Sequence, residues 1–133
     1  MKRSTPHYLE GAIFSREVFA GIKSRTGANG GDSIYFPQKE VRRFVVGSGR
    51  HGIQLTVKDF YSGKDLESFL KPYIGVWKEQ GFDGFGTWHH KGTIYIDPFT
   101  ACTTLLQAHK LSRINDEICF WDSKKGIEVK TQR

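Results

Sequence analysis

Two periods of hydrophobic and polar residues divide the chain into elements. Over residues 52–58, Ile53, Leu55 and Val57 face one way and Gln54, Thr56 and Lys58 the other, the period of two expected of a half-buried strand. Residues 41–46 read as the strand before it. Residues 33–36 read as a shorter one, ending at Pro37, which cannot donate to a ladder. Gly47-Ser48-Gly49-Arg50-His51 joins the strands at 41–46 and 52–58 and predicts a β-hairpin or meander. From residue 65 the period changes. Leu66, Phe69, Leu70, Tyr73, Ile74 and Trp77 form one helical stripe behind a capping Asp65. Pro72 is expected to kink that helix or to start its second piece.

The flanking segments are less regular. Residues 1–8 read as a flexible tail. Ile13, Phe14, Val18, Phe19 and Ile22 give partial helical spacing over 9–24, weakened by Gly11 and Gly21, and predict a short helix. Residues 25–32 contain three glycines and an asparagine and read as a mobile loop. Residues 81–88 (GFDGFGTW) read as a glycine-aromatic loop and 93–96 as a strand. Asp97 then reads as an N-cap with Pro98 at the first helical position. That helix runs to about residue 110, with Phe99, Cys102, Leu105, Leu106 and His109 on its inner face. After a turn at 111–115, strands at 117–121 and 127–129 form a hairpin around the loop 122–126. The order predicts one α+β domain over 1–133: a mainly antiparallel sheet with two helices packed on one face, plus the N-terminal helix.

Composition narrows the class. Of the 133 residues, 38% are hydrophobic and 14% aromatic, too many rings for a disordered chain. No apolar run approaches a membrane span, and no signal-peptide core follows Met1-Lys2-Arg3. The expectation is a protein without a membrane partner. Lys and Arg number 20 and Asp and Glu 14, a formal charge of +6. Residues 1–64 hold 11 basic and 5 acidic groups and 65–133 hold 9 of each, so the excess belongs to the first half. Such an excess suits a phosphate-rich partner, an acidic protein surface or simple solvation. Cys102 and Cys119 belong to no C-x-x-C pair and read as buried thiols of a reducing compartment, the cytoplasm.

Ser33-Ile34-Tyr35-Phe36, Arg43-Phe44-Val45-Val46-Gly47, Gly86-Thr87-Trp88, Gly92, Ile94-Tyr95-Ile96-Asp97, Ala108, Ile118-Cys119-Phe120-Trp121-Asp122, Ile127 and Thr131 form a pattern over residues 33–133. It resembles small, uncharacterised proteins of phages and mobile elements, with Thr87 where that pattern has a second glycine before the tryptophan. The resemblance implies a viral or plasmid context, hence the cytoplasm of a host cell, and brings no chemistry with it.

Four groups of residues bear on function. Residues 47–52 match G-x-G-x-x-G, but a strand follows where a dinucleotide site needs a helix. What remains is a turn bearing Arg50 and His51, whose backbone N–H groups suit an anion. His89-His90 face opposite sides of an extended chain, and Cys102, His109 and Cys119 lack any metal-ligand spacing. No metal or cofactor is expected. A hydrolase using His89 or His90 with Asp83 or Asp97 lacks a nucleophile motif. Phe82, Phe85, Trp88, His89, His90 and Lys91 mix rings with charge, which suits single-stranded nucleic acid or a protein hot spot. Lys39, Arg42, Arg43 and Arg50 form the densest basic group, with one of Arg42 and Arg43 expected to join Arg50 and Lys58 on an outer face apt for phosphate or carboxylate.

The leading expectation is a small non-enzymatic protein that engages a host macromolecule, an acidic protein surface in particular. Its contacts would come from Arg42, Arg43, Arg50, His51, Phe85, Trp88, His89, His90 and Lys91. The first alternative is nucleic-acid binding through the same residues, with Tyr35, Phe36 and Phe44 hinting at an RNA-binding sheet. The second is a small enzyme or nucleotide-binding protein using the 47–52 tip and His51. Oligomeric state is not legible.

Overall fold

The longest strand explains the architecture. In the computed structural model, which describes residues 7–8, 16–62 and 65–133, Thr93–Cys102 forms a ten-residue strand. Its side chains alternate between two different environments. Ile94 and Ile96 turn to one face of the sheet, where they are fully buried. Tyr95, Asp97 and Phe99 turn to the other.

Among the described residues the order is β1 (His7–Tyr8), α1 (Arg16–Asn29), β2 (Gly31–Tyr35), β3 (Phe44–Gly47), a 3-10 turn (Gly49–His51), β4 (Ile53–Thr56), α2 (Val57–Ser62), α3 (Leu66–Glu79), β5 (Gly84–His90), β6 (Thr93–Cys102), α4 (Leu105–Ile114), β7 (Cys119–Asp122) and β8 (Ile127–Lys130). The strands lie in the order β1-β2-β5-β6-β3-β7-β8, with β4 also on β6. All pairings are antiparallel except β1 with β2. The helices bury one face of this sheet. Phe19 and Ile22 of α1, Phe60 of α2 and Leu66, Leu70, Ile74 and Trp77 of α3 close over Ile34, Phe85, Ile94 and Ile96. Ala108 of α4 closes over Phe44, Val46, Cys102 and Phe120. The α+β reading therefore holds, with helices packed against a mainly antiparallel sheet. No helix among the described residues is long and apolar enough to cross a membrane.

The opposite face holds a smaller cluster, Tyr35, Val45, Phe99, Ala101 and Trp121, which contains no helical residue. Segment 38–43 lies over one end of it, where the backbone carbonyl and N–H of Arg42 meet the Tyr35 hydroxyl at 3.3 and 3.4 Å. The other end opens into a cavity.

Several sequence expectations need correction. Residues 47–51 do not turn the chain into a hairpin. Gly47 pairs with Phe99 and Ile53 with Ile96, both antiparallel, so β3 and β4 run in one direction along the same edge of β6. Five residues (48–52) face two (97–98), which makes the 3-10 turn a wide bulge in one long strand. Pro98 stands opposite that bulge, and its carbonyl accepts the Ser48 N–H at 2.9 Å. A ladder already broken there tolerates a residue without an N–H.

Residues 84–90 are strand, not loop. Gly84 sits against the Tyr35 backbone and the Phe99 ring, where a Cβ would overlap the Ile34 carbonyl oxygen. Asp97 caps no helix: the strand continues to Cys102. Helix α4 starts after Thr104, whose hydroxyl accepts the Gln107 N–H while the Gln107 side chain returns to the Thr104 N–H. Its inner face is Ala108, His109 and Ser112, while Leu105 and Leu106 are exposed.

The expected loop at 25–32 is the end of α1 and the start of β2, turned by Gly30 at φ 80°. The expected helix over 9–24 overlaps α1 from Arg16, and its part at 9–15 lies outside the described residues. Of the expected tail, His7–Tyr8 pair with Ile34–Tyr35, and 1–6 lie outside the described residues. Helix α3 runs unbroken past Pro72. Helix α2 replaces the end of an expected strand.

Candidate functional site

The open face of the sheet is built by alternation. On β6 the outward positions are Tyr95, Asp97 and Phe99. On β5 their cross-strand partners are Trp88, Gly86 and Gly84. Trp88 therefore lies beside Tyr95, ring centroids 6.0 Å apart, and stacks on His90 at 4.7 Å. Gly86 faces Asp97 and leaves the floor beside it low. Across the bulge, β7 places Trp121 opposite Val45. Between these walls is a cavity of about 310 Å³, lined by Trp88, Tyr95, Asp97, Glu117 and Trp121 with Gln54 and Glu128 at its rim. Among the described residues, none belonging to α1, α2, α3 or α4 lines it.

The two inner carboxylates are held by backbone. Asp97 lies against Gly52, where a Cβ would overlap its Oδ1. Only glycine lets the chain pass so close. Glu117 follows α4 directly. The Arg50 guanidinium donates to the Ile114 carbonyl at 2.8 Å and Asn115 Nδ2 to the Gly47 carbonyl at 3.1 Å. These bonds tie the end of α4 to the bulge and bring Glu117 over Gly47 and Gly49, each 3.4 Å from its carboxylate at the Cβ position. Burial raises the Glu117 carboxyl above the usual carboxylate range. Repulsion from Asp97, and more weakly from Asp116, adds to this, while the Gly49 N–H and Arg50 oppose it. The glycine-rich bulge thus does meet an anion, the protein's own Glu117. The Trp88 indole N–H is buried and finds no hydrogen-bond partner among the described residues.

The structure disperses most residues singled out in the sequence. Trp88 is a wall of the cavity and His90 supports it from behind. Phe85 is fully buried on the helix face beside Trp77, 6.0 Å away. His89 pairs with Ile94, on that same face, and its N–H donates to the Gly30 carbonyl at 2.9 Å. Lys91 forms the tight β5–β6 turn with Gly92, at φ 49° and 79°. His51 is exposed, its Nδ1 2.7 Å from Ser48 Oγ and its ring against Phe82. Its carbonyl accepts the Trp77 indole N–H at 3.0 Å.

The basic group is engaged nearby. Arg43 grips Asp122 with two hydrogen bonds of 2.9 and 2.8 Å. Arg42 lies 3.4 Å from Glu40, and Lys39 3.6 Å from Asp83.

Tyr95, Glu117 and Trp121 are not among the sequence-derived site candidates, and Asp97 enters there only as a helix cap or as the partner of His89 or His90 in a hydrolase. The signal for Tyr95 and Asp97 is the outward phase of Thr93–Cys102, hidden by reading Asp97-Pro98 as a helix start. No local pattern announces Glu117, which reaches the cavity through tertiary contacts. Among the described residues, no three His, Cys, Asp or Glu side chains come close enough together to hold a metal ion. No protein-family model, curated protein or solved structure matches the chain.

Proposed function

We propose that the chain is a non-enzymatic binding protein that engages a macromolecular partner with the open face of its sheet, the cavity receiving one side chain of that partner. The observation that carries this reading is a ring-walled cavity of about 310 Å³ on a face that none of the described helices covers. Pockets lined by aromatic anchors dominate protein recognition. The resemblance of residues 33–133 to phage and mobile-element proteins supports a host macromolecule in the cytoplasm as the partner.

Nucleic acid fits this face less well. Asp97, Glu117 and Glu128 would repel phosphates where the rings would stack on bases. Arg42, Arg43 and Arg50 already contact a carboxylate or a carbonyl. An enzyme built on His51 is disfavoured because His51 does not line the cavity and turns its ring toward Phe82.

The test is capture of a partner from host extract by the wild type, by Gln54→Trp and by Arg42→Glu. Gln54 is an exposed rim residue, so a tryptophan there obstructs the cavity without touching the core. A partner retained by Arg42→Glu and lost by Gln54→Trp is the expected result. Equal retention by Gln54→Trp would overturn the reading. In a mobility-shift assay with mixed DNA and RNA, binding with a steep salt slope would favour the nucleic-acid alternative instead.

A further inference from the structure

Among the described residues, strand β8 pairs only with β7. Its Ile127, Glu128 and Lys130 are exposed, so its outer edge lies open. The Thr131 N–H donates to the Ile118 carbonyl at 2.9 Å. Ile118 with Thr131 is therefore a hydrogen-bonded pair of the ladder, and by alternation so are Phe120 with Val129 and Asp122 with Ile127. The backbone N–H and C=O groups of Glu128 and Lys130 consequently point away from β7, toward the open edge. We propose that this edge pairs antiparallel with the same edge of a second copy of the chain. The twofold axis passes by Val129, and Glu128 of each copy stands opposite Lys130 of the other.

Three features support the pairing. The first is charge complementarity in a single register. Centred on Glu128 or on Lys130, a symmetric pairing sets like charges face to face, which is unfavourable. Centred on Val129, it sets two opposite-charge pairs across the seam, and each pair exchanges two backbone hydrogen bonds. The second is the state of the edge. Its ladder with β7 runs without a bulge, and no proline occurs between Cys119 and Lys130. A lysine commonly guards such an edge. Here Glu128, two residues away on the same face, supplies the counter-charge to Lys130 of the second copy. The third is apolar surface on the other face of β8. Ile127 is 48% exposed and Val129 half-buried. In the paired strands Val129 meets Val129 and Ile127 comes opposite Thr131, which withdraws both β-branched side chains from water.

The pairing has a consequence for the open face. Residues opposite one another across an antiparallel seam point to the same side of the sheet. The two open faces therefore lie on one side of a continuous sheet, each with its cavity. A dimer would engage a partner at two points, and the second contact would form at the raised effective concentration of a linked site. The pairing itself does not depend on what the cavities receive.

Sedimentation velocity of the full chain alone, from about 1 μM to about 1 mM, tests this. A reversible dimer is expected. Glu128→Lys and Lys130→Glu are each expected to weaken it about tenfold or more, and the double reversal to restore it. Glu128→Pro removes an outward N–H and leaves the ladder with β7 intact. It is expected to abolish the dimer with an unchanged circular dichroism spectrum. A wild type that stays monomeric up to about 1 mM would overturn the pairing. Protection of the Glu128 and Lys130 amides from exchange only in a captured complex would then assign the edge to that partner. A dimer insensitive to both single reversals would overturn it too, and loss in the single variants without recovery in the double would overturn the Val129-centred register. No captured partner enters the measurement, so its outcome is read separately from the Gln54→Trp capture.

Discussion

Arg43 and Asp122 meet in a fork, guanidinium to carboxylate, with the Arg43 group 4.8 Å above the Phe44 ring. The Asp122 side chain is only 3% exposed, and one of its oxygens also accepts the N–H groups of Lys124 and Lys125 at 3.1 and 3.2 Å. This fixes the turn between β7 and β8 and hence the hairpin that carries Trp121 and Glu128. The Arg43 hydrogen bonds, with help from those backbone N–H groups, hold the Asp122 carboxyl down at about 2, below its ordinary 3.8. A carboxylate with a lowered value in the folded state stabilises that state above its unfolded value. The contribution is lost as the pH falls from about 4 to about 2. Asp122→Asn leaves the guanidinium without its anion and is expected to cost roughly 1–3 kcal/mol. In urea titrations that deficit is expected at pH 7 and to shrink toward pH 2. A deficit of equal size at both pH values would show that packing, not charge, holds the turn.

Helix α4 shows how local chemistry sets an element against a competing signal. Thr104 and Gln107 close a reciprocal capping box three residues apart, a pattern readable in the sequence as Thr-Leu-Leu-Gln. Asp97-Pro98 offered a rival start and was the wrong one, because Tyr95, Asp97 and Phe99 continue the period of two begun at Thr93. Thr104→Ala is expected to lower stability by about 1 kcal/mol, read as a lower urea midpoint with an unchanged slope. An unchanged midpoint would show that tertiary contacts, not the cap, start the helix. Helix α3 was legible because Leu66, Leu70, Ile74 and Trp77 hold one helical face over about three turns. Strand β5 was not, because Gly84 and Gly86 leave gaps where the open face needs room beneath Phe99 and beside Asp97. The bulge was misread for a related reason. Glycines at 47, 49 and 52 mark both a hairpin tip and a close backbone approach, and only the β3–β6 and β4–β6 registers distinguish them.

At the scale of the molecule, the net charge and the open face act at different stages of association in the proposed complex. The net +6 is a long-range field, attracting an acidic surface and weakening over a Debye length of about 8 Å at physiological salt. The ring-walled cavity acts only on contact. The two terms separate kinetically, because remote charges alter encounter and desolvated contacts alter escape. For an acidic partner captured through the open face, Arg42→Glu is expected to slow association about two- to threefold at 50 mM salt and to leave dissociation unchanged. Arg42 is exposed and outside the cavity lining, so the substitution disturbs the field and not the site. Gln54→Trp is expected to do the reverse, speeding dissociation about tenfold with little change in association. Stopped-flow measurements at 50 and 300 mM salt distinguish the two. Equal effects of both variants on dissociation would mean that the basic surface and the cavity form one contact surface, and would remove the case for separate steering and anchoring.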